Sequence, residues 1–175
     1  QKILSGSDLS SNSNLLVNCQ KQVGEHLGKV FSDKQFTDIK IQCEGQSFDC
    51  HMIILAARSP VFMAMFQSNM KEKQSQTVNI DDCKPNVVAE MLNFIYSGNV
   101  SSQDAIVEIA SDLLKAADQY QLDLLKNICE ESLCSTLDVA DCVENLVLGD
   151  MYQTSKLKMM ALGMVVENAD SIINT

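Results

Sequence analysis

Hydrophobic residues first recur at a regular spacing from about Cys19, where Val23, Leu27, Val30 and Phe31 fall at i, i+4, i+7 and i+8, one stripe of a helix. Gly24 and Gly28 weaken that helix by about 1 kcal/mol each and leave a smooth strip where another backbone can approach. The stripe is either core or a partner-binding face. The period then changes to two. Ile39, Ile41 and Cys43 alternate with Asp38, Lys40 and Gln42, Glu44-Gly45 makes a turn, and Phe48 and Cys50 continue the alternation. That is a β-hairpin with one buried face.

After His51 the chain is helical and apolar through Ile53-Ile54-Leu55-Ala56-Ala57. Ser59-Pro60 opens a second short helix, with Ser59 as N-cap and Pro60 in the first turn. Residues 67–76 are polar and read as a loop, and Thr77–Ile80 as a third strand. Pro85 opens a helix with the stripe Val88, Met91, Leu92 and Ile95, closed by Gly98. Further helices are predicted from Ile106, Ile109, Ala110, Leu113 and Ala117, and from Leu122, Leu125, Ile128, Cys129 and Leu133. The next starts at an Asp138 N-cap, with Val139, Cys142, Val143 and Leu146 inside. The last starts from about Thr154, with Leu157, Met160, Ala161 and Met164 inward. A small sheet followed by helices is an α+β arrangement, mostly helical.

Residues 1–18 are rich in Ser and Asn and read as a tail or linker. The chain opens on Gln1, as expected of a piece of a longer protein. With 175 residues, 46% of them hydrophobic, it has room for one domain with a core, or one domain with appendages. Its longest apolar runs are far too short to span a bilayer. The net charge of −10 argues against nucleic acid, which needs clustered Lys and Arg. Residues 101–150 hold 11 acids and 2 bases, whereas residues 1–100 hold 10 and 9. The acidic stretch is a solvated helical face or a docking face for a basic partner.

The chemistry of an enzyme is missing from the sequence. There is no phosphate-cradling glycine loop and no nucleophile elbow. His26 and His51 have no metal-spaced neighbours, and the seven cysteines form no C-x-x-C pair. No metal and no cofactor are expected. The cysteines, odd in number and mostly on apolar faces, read as buried reduced thiols of the nucleus or cytoplasm. His51, between hairpin and buried helix, reads as structural rather than as the base of a hydrolase. Met70 stands alone in the polar run Gln67–Lys73 and reads as an anchor for a partner's pocket.

The stretch Phe36-Thr37-Asp38, Phe48, His51, Ile54-Leu55-Ala56-Ala57-Arg58-Ser59-Pro60-Val61-Phe62, Met65-Phe66 and Phe94-Ile95-Tyr96-Ser97-Gly98 resembles the BTB/POZ domain, in particular that of the MATH-BTB proteins. So does Ala116-Ala117-Asp118-Gln119-Tyr120-Gln121-Leu122. The resemblance implies the BTB/POZ fold, a small β-sheet flanked by mostly α-helices, with a C-terminal helical extension. It divides the chain into a linker or MATH-like tail at 1–19, a BTB/POZ domain at 20–135 and three-box-like helices at 136–175.

It also implies a homodimer and an adaptor that binds the cullin-3 N-terminal domain in a ubiquitin ligase, with the substrate brought by a domain absent from this chain. The family's dimer contacts fall on Val23, Leu27, Val30 and Ile54, and its cullin contacts on Met70, Lys71, Glu72 and Tyr120. One departure is Met52, where the family usually carries Lys or Arg. In BTB transcription factors that basic residue helps form a charged pocket. The alternative reading, a dimerisation module of a transcriptional regulator that recruits corepressors, is weakened accordingly.

Overall fold

Two extended segments with alternating polarity and one residue pair able to take positive φ make the nucleus of the sheet. Glu44 and Gly45 sit at φ 45 and 82, the turn whose twist matches that of paired strands. Strands β1 (Ile39–Cys43) and β2 (Gln46–Cys50) pair antiparallel in the register Ile39↔Cys50, Ile41↔Phe48 and Cys43↔Gln46. The inward face of β1 is Ile39, Ile41 and Cys43, all buried. Strand β3 (Thr77–Asn79) adds on the other side, parallel to β1, giving the order β2-β1-β3. Ile80, just past β3, still donates its N–H to the Gln42 carbonyl. The computed structural model describes residues 6–68 and 76–169.

Helices α2 (Met52–Arg58) and α3 (Pro60–Gln67) follow the hairpin, parted by Ser59. The Ser59 hydroxyl accepts from the Phe62 N–H and donates to the Tyr120 carbonyl, so one side chain caps α3 and ties it to a distant turn. The centre of the fold is α4 (Pro85–Ser97), buried on nearly every side, which ends at Gly98 in the left-handed region, φ 71. Helices α5 (Gln103–Val107), α6 (Ala110–Gln119) and α7 (Asp123–Thr136) complete the domain. Helices α8 (Cys142–Met151) and α9 (Ser155–Glu167) form an antiparallel pair, and α9 also packs on α7. A carboxylate outside α9 holds its start: Glu130 Oε1 on α7 accepts the N–H groups of Lys156 and Leu157.

Several expectations are corrected. The first helix, α1, spans Gly6–Ser32 and so runs through most of the predicted linker. Ser and Asn cost only a few tenths of a kcal/mol each inside a helix, and no Gly or Pro interrupts residues 7–23. The single helix expected from Ile106 to Ala117 is two, parted by a turn at Glu108–Ile109, with Ile106 and Ala110 both buried. Asp138 caps a turn, accepting from the Ala140 and Asp141 N–H groups, and α8 begins four residues later. Its inward face is therefore Cys142, Asn145, Leu148 and Gly149, while Val139 and Val143 are exposed. In α9, Leu157 and Ala161 face inward, but Met160 is exposed.

Candidate interaction surfaces

Helix α1 meets the body of the domain through its glycines. An added Cβ at Gly24 would stand 2.1 Å from the Ser97 carbonyl oxygen at the end of α4, so only glycine permits that approach. Two turns further on, Phe31 stacks on Tyr96 with centroids 4.4 Å apart. These residues occupy one face. Val23, Leu27 and Val30 lie about 100° around the helix from it, at 100° per residue. Val23 is 58% exposed, while Leu27 and Val30 are half-buried. The stripe read as core or partner face is therefore split: Phe31 packs on the core, while Val23 faces out beside half-buried Leu27 and Val30.

The start of α2 is fixed by a satisfied polar node. The His51 backbone N–H donates to Tyr96 Oη at 2.7 Å, and His51 Nδ1 lies 2.9 Å from the same oxygen. The other ring nitrogen, Nε2, faces the Gln35 carbonyl, which can only accept. Nε2 thus carries the proton, and Nδ1 accepts from the tyrosine hydroxyl. Burial pushes the Tyr96 phenol well above its usual range, so it stays protonated in this role. The Met52 N–H is taken by Asp38 Oδ1. Ile54 packs half-buried against the core, and the side chain that α2 presents outward is its neighbour Ile53, 73% exposed. Phe36, at the turn between α1 and β1, is 90% exposed.

The residues assigned to the second partner divide differently. Met70, Lys71 and Glu72 lie outside the described residues. Tyr120 is 4% exposed, with its ring stacked on Phe62 at 4.8 Å. Burial, with Asp82 nearby, raises its phenol pKa. Its ring is packed in the core under α3. Arg58, the one arginine of the sequence, lies over the Phe94 ring and donates Nε–H to the Ile95 carbonyl, locking the end of α2 to α4.

Four of the eleven acids in the acidic stretch are ion-paired within the molecule. Asp112 meets Lys84 and Lys115, Asp118 meets Lys126, Glu131 meets Lys156 and Asp150 meets Lys158. Three of those lysines come from outside residues 101–150. A cleft of about 300 Å³ beside Asp112 is lined by Glu44, Asp82, Cys83 and Gln119 among others. Burial and Asp82 push the Cys83 thiol up to about 11, so it is a poor nucleophile at neutral pH. Among the described residues, no three His, Cys, Asp or Glu side chains stand together as a metal site, and no helix is long and apolar enough to cross a membrane.

The hairpin, the paired helices α2 and α3, the central α4 and the closing α6–α7 turn are matched as one unit: the family model of the BTB/POZ domain fits residues 27–137. The chain belongs to the BTB/POZ domain family. The BTB fold is a dimerisation and protein-interaction module, with no enzyme family indicated. The fold is also similar to the solved BTB domain of zebrafish PATZ1, with a TM-score of 0.55 and 20% sequence identity, covering 78% of this chain and 100% of that one. At that identity the likeness is one of fold alone. The outward presentation of Ile53 and Phe36 was missed by sequence reasoning. Four apolar residues in a row, Met52 to Leu55, hide which of them faces out.

Proposed function

We propose that this BTB domain is a homodimeric adaptor that binds cullin-3 and so links substrates to a ubiquitin ligase, with the substrate reader on a further, MATH-like domain. The observation that carries the dimer is the apolar surface left by the fold: Val23 on α1 and Ile53 on α2 are exposed, and Leu27, Val30 and Ile54 are half-buried. A self-complementary patch closes as a two-fold pair.

The cullin contact rests on the resemblance at Met70-Lys71-Glu72. The C-terminal helix pair supports it: α8–α9 is docked on α7 as a continuation of the domain, as an extension that helps hold a cullin would be. The corepressor-recruiting alternative needs a cation where this chain has Met52, a neutral side chain packed against the core.

Size-exclusion chromatography with light scattering, alone and with the cullin-3 N-terminal domain, tests both parts. Dimer mass alone and a dimer carrying two cullin fragments together are expected. Substituting Val23, Leu27 and Val30 with Glu yields a folded monomer; a dimer mass for that variant refutes the patch. Met70→Ala leaves the dimer intact and weakens the cullin complex about thirty-fold, the loss of a typical anchor. Unchanged affinity in calorimetry removes the cullin assignment.

A further inference from the structure

Independently of the cullin contact, we infer that the outer face of α8 docks a partner helix whose apolar stripe is flanked by Lys or Arg. A surface helix ordinarily turns its most apolar face to the core, and α8 is reversed. Its inward residues are Cys142, Asn145, Leu148 and Gly149, and the buried asparagine satisfies its side-chain N–H on the Asp141 carbonyl. Its outward stripe is Val143, Val147 and Met151, which are 46%, 55% and 64% exposed. At 100° per residue the three span about 80° of the helix, with Asp150 about 20° beyond one edge and Glu144 about 20° beyond the other. Val is a poorer helix former than Ala, Glu or Lys, so helix stability alone gives no reason for valines on a solvated face.

Shape and charge choose the occupant. Residues at i, i+4 and i+8 form a ridge about 12 Å long at 1.5 Å per residue, and such a ridge packs into the groove of another helix. Residues 127–155 hold six acids and no base. Asp138, Asp141 and Glu144 gather at the start of α8 and Asp150 lies near its end. Among the described residues, Lys158 is the one lysine ion-paired there, with Asp150, and Glu144 meets no cation. A second copy would set these carboxylates against themselves, and an anionic bilayer would meet the same repulsion. A helix with cations on both sides of its apolar stripe meets the valines with its apolar side chains and Glu144 with a flanking charge. Met151, unbranched and polarisable, lets the end of the ridge adapt to that partner.

The probe is a labelled peptide of about 18 Leu and Lys residues, long enough to form a helix, with its leucines on one helical stripe. Fluorescence anisotropy reads its binding to the whole chain. A saturable complex is expected, and a scrambled peptide of the same composition, or one with Glu for Lys, binds at least about tenfold more weakly. The double variant Val143→Gln with Val147→Gln weakens the complex about tenfold, and Glu144→Lys about fivefold. Glu25→Lys, the same change of charge at an exposed position of α1, stays within about twofold. Each variant keeps the wild-type circular dichroism and melting temperature, since the substituted side chains are exposed. Absence of saturable binding overturns the proposal. So does equal binding of the scrambled peptide, or an equal loss for Glu25→Lys and Glu144→Lys, because either shows only a general attraction of lysine to an acidic chain. Displacement of the probe by the cullin-3 N-terminal domain gives this face to that contact and overturns the proposal as well, while the dimer and cullin readings stand.

Discussion

At the scale of single residues, the His51–Tyr96 node shows how a buried histidine can serve the fold. Every polar atom in it has a partner, and the one hydroxyl serves as both donor and acceptor. Tyr96→Phe strips the partner from a buried N–H and a ring nitrogen at once. A loss of about 1–3 kcal/mol is expected, read as a lower urea midpoint at unchanged slope. Asp112 offers a pH test. Hydrogen bonds from Lys84 and Lys115 hold its carboxyl below the usual carboxylate range. The stabilisation it provides is therefore present above an unfolded pKa of about 3.9 and disappears as pH falls through the lower folded value. Denaturation of wild type and Asp112→Asn should differ at pH 7 and converge near pH 2. A gap that stays constant over that range would mean Asp112 acts through packing instead.

Among elements, the glycines of the helices separate close approach from mere flexibility. Gly24 lies under the Ser97 carbonyl, whereas nothing lies within 4 Å of a Cβ added at Gly163. Alanine has the better helix propensity at both positions by about 1 kcal/mol. Gly163→Ala should raise the melting temperature, and Gly24→Ala should lower it or loosen α1 from α4, seen as faster amide exchange along α1. Here the legibility of the sequence is uneven for physical reasons. The hairpin, the Ser59-Pro60 start and the Gly98 stop were all readable, because each rests on a residue type with a strong local preference. The start of α1 was not, since Ser and Asn only mildly disfavour a helix. Asp138 signalled a cap, but an aspartate serves a turn as readily as a helix start. The MATH-BTB resemblance supplied Tyr120 as a contact without its depth, which depends on Phe62 arriving from another part of the chain.

For the molecule as a whole, the cysteines report the integrity of the core. Burial, the dominant cause, pushes Cys50 and Cys129 up to about 12, and both pack in the central cluster. Native alkylation at pH 8 should modify Cys19 first and leave those two for last, and denatured, unreduced protein should take up seven groups. A native count that rises above two before unfolding would reveal a looser interior than the fold describes.

The parallel pairing of β3 with β1 also sets the order of events in folding. The β1–β2 hairpin needs two turn residues and can form in about 1–10 μs. Lys40 meets Thr77 only after all of α2 and α3 has been gathered in between, so the chain must close a long loop before that contact yields anything. The sheet is thus built from a fast half and a slow half that share one central strand. Substitutions in β3 should leave the early hairpin intact and act on the step that seals the sheet.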